Sequence, residues 1–473
     1  MTIAAALLVT MTAPAGADDD DSSSGGGAGG GAGEPPPEYY VDESKLPFDP
    51  LPGADAYWGV LRGAGYRVEV PEDWNGHLVM WAHGFRGTGL ELTVDNHPIR
   101  DHLIAEGYAW AASSYTRNDY DVEAGMVDTR RLAKRFKRIT GERPDLIYLT
   151  GASMGGHITA ASIEQWPRLY DGAMPICGVV GDFELFDYFL DFNLAAQQIG
   201  LGTSSFPVDP AQYIGVDVPA IKANLEAVPG GWPNVLNADG QALKQLTELR
   251  SGGDRPNFDE AWFFWNFLAG DFLFELGLGD GTLPGRDGVV VDNVDAVYQT
   301  DLDPAISASE QALNDDILRV AFDPEARRIR GAKNVRAVEG DFRVPVMSLH
   351  NLGDLFVPFH NQVEYFEDAS ATGRGDDGSD DDSSDDGSDD DSSEGGGSSA
   401  DLLVQRAIRG VGHCDFTQSE LTTAFDDLAG WVEDGVKPAG DDVGNPAAVA
   451  DPNFGCAFTD DPNNEHILAT PCP

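Results

Sequence analysis

Short apolar runs and amphipathic stretches succeed one another along much of the chain. Alternating polar and apolar positions at residues 66–70 predict an edge strand. Continuous apolar runs bounded by turn residues predict buried strands. These runs are residues 77–82, 108–112, 146–150, 170–180, 344–349 and 402–408.

Helical periodicity separates the first of these strands. Residues 98–106 and 126–140 each carry apolar side chains on one side, which predicts two helices. The second helix also has a basic face, which we interpret as a solvated face rather than an anion site. Because strand and helix alternate up to residue 153, we expect an α/β protein with a mostly parallel, doubly wound sheet.

A serine framed by glycines lies where the run 146–150 gives way to helix-forming residues. The sequence is Gly151-Ala152-Ser153-Met154-Gly155, the G-x-S-x-G pattern of a nucleophile elbow. A serine hydroxyl is a weak nucleophile until it is held in an exposed, tight turn beside a base. Flanking glycines leave room for such a turn. The pattern alone also fits a glycine-rich turn with a purely structural role. The choice between the two interpretations therefore depends on motifs elsewhere in the chain.

A second turn of interest follows the run 77–82 and begins His83-Gly84-Phe85. Because it combines this turn with the pattern around Ser153, the chain resembles the α/β-hydrolase superfamily, and in particular secreted serine esterases. There, the backbone N–H after a His-Gly turn supplies one donor of the oxyanion hole. The resemblance therefore implies Phe85 and Met154 as the two oxyanion donors. It also implies that His83 lies against the substrate.

A long aromatic-rich segment follows the run 170–180. Roughly 160 residues precede the next buried run, too many for one crossover. The superfamily often carries a helical cap here, so the resemblance implies that residues 182–339 cover the nucleophile. It also implies that Trp262 and Phe263 bind substrate, although such rings could equally form only the core of the cap. The aromatic content favours a bulky or hydrophobic substrate.

A candidate catalytic side chain follows each of the last two buried runs. Asp354 follows the run 344–349, and His413 follows the run 402–408 within a glycine-rich loop. The superfamily places its acid and its general base in similar surroundings, and the order Ser153, Asp354, His413 matches. The resemblance implies that Asp354 orients His413, which takes the proton from Ser153.

The net charge of the chain narrows the classes of binding partner that we expect. The chain has 473 residues, of which 41% are hydrophobic, and a formal net charge of −50. This balance argues against nucleic acid and anionic lipid as partners. Much of the acidic excess lies in runs at residues 18–21 and 376–394. These runs could bind calcium weakly, but we favour a disordered tether because they lack the spacing of a defined calcium loop.

The N-terminal residues suggest export. An apolar run at residues 3–12 precedes Ala15-Gly16-Ala17, which indicates a signal peptide and a secreted or periplasmic protein, with a disordered tail as the alternative. No other run is long enough to insert into a membrane. The expected division is a signal peptide 1–17, a low-complexity linker 18–38, a catalytic core 39–181 and 340–436, the cap 182–339, a disordered acidic insert 373–400, and a tail 437–473. Within this tail, residues 440–473 are expected to lack regular structure.

Four cysteines are consistent with two disulfides in an exported protein. Cys456 and Cys472 both lie in the tail and would close a short loop. Cys177 ends the strand after the nucleophile helix, and Cys414 adjoins the candidate base. Of the three pairings, we favour Cys177–Cys414 with Cys456–Cys472, with buried free thiols at Cys177 and Cys414 as the alternative.

Taken together, these features favour a secreted serine hydrolase that cleaves carboxylic esters through an acyl-enzyme. Its substrate would be a small-molecule or polymeric ester of the aryl, lipid or polyester type, and we expect no cofactor and no metal. An amidase or peptidase with the same triad remains open. So does a binding protein that kept the fold and lost turnover.

Overall fold

The computed structural model of this chain describes residues 38–283, 288–327, 335–373, 397–460 and 466–473. The expected signal peptide 1–17 and nearly all of the linker 18–38 lie outside these residues. The same is true of residues 374–396, which make up most of the expected acidic insert.

The strands of the described chain form one large sheet and one small pair. They are β1 Tyr40–Val41, β2 Ala54–Leu61, β3 Ala64–Pro71, β4 His77–Ala82, β5 Glu91–Leu92, β6 Ala109–Ser113, β7 Leu146–Ala152, β8 Gly172–Ile176, β9 Val346–Asn351 and β10 Leu403–Ile408. The large sheet has the order β10-β9-β8-β7-β4-β6-β3-β2. Only β3 runs against its neighbours, and the other adjacent pairs are parallel. This is the α/β-hydrolase fold, and the predicted mostly parallel, doubly wound sheet is confirmed.

Helices cover both faces of this sheet, and a further set forms an insertion between β8 and β9. They are α1 Arg100–Ala105, α2 Val122–Thr140, α3 Met154–Gln165, α4 Glu184–Leu201, α5 Pro210–Gln212, α6 Val218–Leu225, α7 Ala238–Arg250, α8 Phe258–Phe263, α9 Phe272–Glu275, α10 Ala308–Asp316, α11 His360–Ala371, α12 Gln418–Asp434 and α13 Pro446–Val449. π-helical turns lie at Tyr213–Asp217 and Phe264–Leu268, and 3-10 turns at Glu43–Lys45, Leu276–Leu278 and Ser399–Leu402.

Burial on both faces explains why the central strands are continuously apolar. In β4, Leu78 and Met80 point into the core on the α2 and α3 side. Val79 and Trp81 point into the opposite core, which α1 and α12 close. A polar side chain would therefore be desolvated at any position of such a strand. The alternation of polar and apolar residues is consequently absent from this part of the sequence.

The insertion has a core of its own. Buried side chains from α4, α6, α7, α8 and α9 form one apolar cluster, which includes Trp232, Trp262 and Phe274. The same cluster includes Leu355 and Val411, which belong to loops after β9 and β10. The insertion, called the cap below, is therefore packed onto the edge of the sheet where these two strands end.

Several elements differ from the sequence-based expectations, and in the predicted run 170–180 only Gly172–Ile176 is a strand. Strand β2 was not predicted, although it pairs antiparallel with β3 along its length. Helix α2 begins at Val122 rather than at residue 126, because the Asp121 side chain accepts a hydrogen bond from Ala124 N and so caps it. The expected lack of regular structure in the tail is wrong at α13, where Asn445 caps a short helix.

No helix among the described residues is long and apolar enough to cross a bilayer.

Candidate active site

Ser153 lies in a sharp turn between β7 and α3. Its φ of 59° and ψ of −124° are rare for a residue with a side chain, and its N–H donates to Ile176 O at 3.0 Å. The flanking glycines are required by close approaches rather than by flexibility. A Cβ at Gly151 would lie 2.2 Å from Gly155 O, and one at Gly155 would lie 2.0 Å from Ala82 O. Backbone from β4, β7 and α3 therefore meets directly around this serine.

Ser153, His413 and Asp354 form one hydrogen-bonded line. Ser153 Oγ lies 2.8 Å from His413 Nε2, and His413 Nδ1 lies 2.6 Å from Asp354 Oδ2. The three residues follow β7, β10 and β9, and the carboxyl ends of parallel strands share one edge of a sheet. The geometry fits an imidazole that donates from Nδ1 to the carboxylate and accepts from the serine hydroxyl at Nε2.

The second oxygen of Asp354 is also occupied. Oδ1 accepts from Phe356 N at 2.9 Å and from Val357 N at 3.0 Å. The side chain of Asp354 is fully buried. A buried carboxylate needs such donors, and here they also fix its orientation toward His413.

The loop that carries His413 is fastened on both sides. Cys414 forms a disulfide with Cys177, which directly follows β8. On the other side, Val411 N donates to Ile467 O at 3.1 Å, so the C-terminal tail pairs with this loop. The tail carries the second disulfide, Cys456–Cys472. Both pairings favoured from the sequence are present in the structure.

The two expected oxyanion donors lie at turns next to Ser153. Met154 is the first residue of α3, and the first N–H groups of a helix have no partner within it. Phe85 follows Gly84, where an added Cβ would lie 3.1 Å from the Cβ of Ser153 and 3.6 Å from its Oγ. A side chain at Gly84 would therefore crowd the nucleophile turn, and glycine leaves room for this close approach.

His83, expected to contact the substrate, lies within the same turn. Its ring is buried and stacks on Tyr115, with 4.0 Å between centroids. Its Nδ1 lies 3.0 Å from Arg86 Nε and 2.8 Å from Gly84 O. Burial, and then the charge of Arg86, holds the pKa of His83 well below its usual range. The neutral ring thus packs beneath the backbone that presents Phe85.

The two aromatic residues expected to bind substrate lie in different places in the cap. Trp262 is 1% exposed and donates its indole N–H to Pro233 O at 3.0 Å, so it packs as a core residue. Phe263 is half-buried and stacks on Phe267, which is 58% exposed. Among the described residues, no hydrogen bond or ring-to-ring contact joins either side chain to Ser153, His413 or Asp354.

Other rings, which sequence reasoning did not single out for the site, lie beside His413. Phe356 packs edge-on against the His413 ring at 5.1 Å between centroids. Phe189 stacks on Phe356 at 6.1 Å, and Phe186 packs on Phe189 at 6.2 Å. Tyr120 follows at 5.4 Å from Phe186. All four are half-buried. Their number in the sequence signalled a bulky apolar surface, but nothing local distinguished them from the core aromatic residues.

A second buried histidine lies on the nucleophile helix. His157 Nε2 lies 2.6 Å from Arg336 O, and its Nδ1 lies 3.0 Å from the Tyr120 hydroxyl. The carbonyl can only accept, so Nε2 carries the proton and Nδ1 accepts from Tyr120. Burial lowers the pKa of His157 to about 4, and the ring is therefore neutral near pH 7.

One group of possible metal ligands lies within the described residues, namely Cys177, His413 and Cys414. Both sulfurs are used in the disulfide, so this group does not offer the thiolates that a metal site needs.

The strand order and the Ser–His–Asp line together define a protein of the α/β-hydrolase fold with the arrangement of a serine hydrolase. No protein-family model matches the chain. It is similar to the o-phthalyl amidase of Xanthobacter agilis, at 21% identity over 429 residues, covering 80% of this chain and 87% of that protein.

Two solved structures from Aspergillus oryzae are also similar. The first, an esterase, is 12% identical to this chain, with a TM-score of 0.41. The match covers 81% of this chain and 80% of the esterase chain. Feruloyl esterase B is 12% identical with a TM-score of 0.40, and covers 80% of each chain. Fold, site and the similarity to an amidase support a hydrolase.

Proposed function

We propose that this protein is a serine hydrolase that cleaves carboxylic ester bonds through an acyl-enzyme. The hydrogen-bonded line from Ser153 through His413 to Asp354 carries the proposal. Each member has the neighbour that its role requires: a base within hydrogen-bond reach of the nucleophile, and a buried acid that orients the base.

In the proposed reaction, Ser153 Oγ attacks the ester carbonyl while His413 Nε2 takes the hydroxyl proton. The tetrahedral intermediate collapses, the C–O bond to the alcohol breaks, and His413 returns the proton to the leaving alcohol. Water then attacks the acyl-enzyme with its proton passing to His413, and release of the acid restores Ser153. Asp354 stabilises the imidazolium in both halves.

The oxyanion of each tetrahedral intermediate would accept from Met154 N–H and Phe85 N–H. The helix start at Met154 and the close approach of Gly84 to Ser153 support this assignment. Each such donor contributes about 3 kcal/mol of transition-state stabilisation.

The proposed substrate is a bulky or hydrophobic ester, with aryl esters first among the aryl, lipid and polyester classes. Half-buried Phe356, Phe189 and Phe186 extend from His413 toward Tyr120 and support an aromatic acyl or alcohol group beside the nucleophile.

Ser153→Ala tests the nucleophile. We expect wild-type protein to hydrolyse p-nitrophenyl butyrate and Ser153 to react with a fluorophosphonate probe. Ser153→Ala should lose both, with kcat at least about a thousand-fold lower, because the proposed acyl-enzyme forms on the Ser153 hydroxyl. Ser162→Ala is the matched control, since Ser162 is buried on the same helix and its Oγ has no partner among the described residues. Full turnover in Ser153→Ala would refute the assignment.

An amidase is the second candidate, and the similarity to o-phthalyl amidase favours it. Ester and amide pairs that share one acyl group, including o-phthalyl pairs, separate the two. We expect the ester of each pair to have the higher kcat/KM. Amides that are cleaved faster, with activity still lost in Ser153→Ala, would keep the triad and replace the ester assignment. The absence of both substrate turnover and probe labelling at Ser153 would favour a binding protein.

We also propose export, with residues 1–17 as the leader and 18–38 as a linker ahead of the core. The two disulfides fit an oxidising compartment. Residues 182–339 are proposed as the cap, 340–436 as the second part of the core, and 437–473 as a tail fastened to the base loop. N-terminal sequencing of protein from the culture medium or periplasm tests the leader directly.

A further inference from the structure

One indole N–H of the cap lies between the two loops that carry the proposed acid and base. Trp265 Nε1 lies 3.0 Å from Gly353 O and 2.9 Å from Val411 O. Gly353 directly precedes Asp354, and Val411 is two residues before His413. The single hydrogen is therefore shared in a three-centre hydrogen bond, which joins the acid loop to the base loop.

The two loops leave little room for adjustment at this point. Gly353 N donates to Gly410 O at 2.9 Å, and a Cβ at Gly353 would lie 2.7 Å from Val411 Cγ1. Both carbonyls that face Trp265 belong to buried residues. Each accepts from the indole N–H, and each would lose this donor if the cap moved away. Leu355 and Val411 also pack within the apolar core of the cap.

The ring of Trp265 is connected to the base as well. Trp265 is 5% exposed and packs on Phe272 at 5.1 Å between centroids. Phe272 packs edge-on against Phe356 at 5.1 Å, and Phe356 contacts the His413 ring. Trp265 also lies 6.5 Å from Phe356 between centroids. The indole thus supports the backbone of the base loop through hydrogen bonding, and the imidazole of His413 through Phe356 and Phe272.

A second cap residue holds the carbonyl just before Gly353. Arg255 Nε donates to Leu352 O at 2.7 Å, and its other nitrogens contact Ser251 Oγ and Gly253 O at 2.9 and 2.8 Å within the cap. The backbone carbonyls of residues 352 and 353, directly ahead of the proposed acid, are therefore both held by cap side chains.

We infer that Trp265 is a positioning residue for the proposed reaction, and that it holds Asp354 and His413 in register through Gly353 O and Val411 O. This rests on the proposed function. It follows that the cap is part of the catalytic framework and stays docked at these loops during turnover, since leaving would release both carbonyls.

Two variants of Trp265 test the inference. Trp265→Phe removes the N–H together with part of the ring. Trp265→β-(benzothienyl)alanine replaces the N–H by sulfur and keeps the shape. In both, kcat for p-nitrophenyl butyrate should fall between about 10- and 100-fold with KM within about two-fold, because the acid and base lose alignment while the binding surface remains. The rate of fluorophosphonate reaction at Ser153 should fall by the same factor.

Trp232→Phe is the matched control. Trp232 is a buried cap tryptophan whose indole nitrogen has no partner among the described residues. It should keep wild-type kcat, because the same truncation at this position removes no hydrogen bond to the acid and base loops. Wild-type kcat in the benzothienylalanine protein, or an equal loss of kcat in Trp232→Phe, would overturn the inference.

A spectroscopic readout separates this inference from the proposed function. The His413 Nδ1 proton shared with Asp354 should give a downfield proton resonance that is absent in His413→Gln. We expect the resonance to broaden or disappear in both Trp265 variants and to persist in Trp232→Phe. If Ser153 proves unreactive, the proposed function fails, and the resonance still decides the role of Trp265. An unchanged resonance in both Trp265 variants would refute that role.

Discussion

At the scale of single residues, the site depends on glycines at which a side chain would crowd the nucleophile turn. Gly84, Gly151 and Gly155 each bring backbone against the turn of Ser153. Gly155 is the tightest of them, because its missing Cβ would lie 2.0 Å from Ala82 O. Helix α3 and the end of β4 can approach only across this glycine, and the end of β4 leads directly into the proposed oxyanion turn.

Gly155→Ala should therefore damage both stability and activity. Relieving the overlap requires α3 or β4 to move, which we expect to cost about 3 kcal/mol in the free energy of unfolding. Urea unfolding and kcat for p-nitrophenyl butyrate measure the two effects.

Gly430→Ala is the matched control for this change. Gly430 lies inside α12, and an added Cβ would meet nothing within 4 Å. Alanine should stabilise that helix by up to about 1 kcal/mol and leave kcat unchanged. Equal behaviour of the two variants would contradict the close approach at Gly155.

At the scale of elements, the two disulfides enclose very different lengths of chain. Cys177–Cys414 spans a sequence separation of 237 and joins the end of β8 to the loop of His413. Cys456–Cys472 spans 16 residues within the tail. The entropy lost on closing a loop increases with the length of the loop, although slowly. The longer loop therefore restricts the unfolded chain more than the shorter one.

We expect removal of Cys177–Cys414 to be the more harmful. The double variant Cys177→Ser with Cys414→Ser should lose about 5 kcal/mol of unfolding free energy, against about 3 kcal/mol for Cys456→Ser with Cys472→Ser. Only the first should also lower kcat several-fold, because it frees the residue next to His413. Equal losses of stability, or a larger loss of kcat in the tail variant, would argue against this account.

At the scale of the whole molecule, buried ionisable groups oppose one another in their dependence on pH. Burial lowers the pKa of His157 to about 4 and that of His97 to about 3. Burial raises the pKa of Glu164 to about 8, although Glu339 N and Gly340 N donate to its carboxylate. Stability due to the histidines is present above about pH 6.5 and is lost as pH falls, whereas stability due to Glu164 is lost as pH rises toward 8.

His157→Gln and Glu164→Gln should reveal these opposite slopes. Relative to wild type, His157→Gln should be least stable above pH 7 and should recover by on the order of 3 kcal/mol as pH falls toward 4. Glu164→Gln should change in the other direction, gaining relative stability between pH 4.5 and 8. Chemical unfolding across this pH range gives both differences. Parallel curves for the two variants would contradict the opposite shifts.

Much of the sheet could be predicted because its central strands are buried on both faces. Such strands leave continuous apolar runs, and β4 begins and ends at the predicted residues. Strand β2 escaped prediction because it lies at the edge of the sheet, where several side chains are exposed and the apolar run disappears. The start of α2 was misplaced because Asp121 decides it, and a polar cap carries little apolar periodicity.

The succession of strands and turns could be predicted from the chain alone, because its buried strands leave apolar runs. The resemblance to the α/β-hydrolase superfamily then implied the candidates Ser153, Asp354 and His413, each of which follows such a strand in a glycine-containing loop. The aromatic rings that surround these residues could be identified only from the folded chain. Trp262 and Trp265 are three residues apart in one run, yet Trp262 donates to Pro233 O inside the cap and Trp265 donates to the acid and base loops. Local pattern records that a ring is apolar, whereas its partner depends on contacts between segments far apart in the chain.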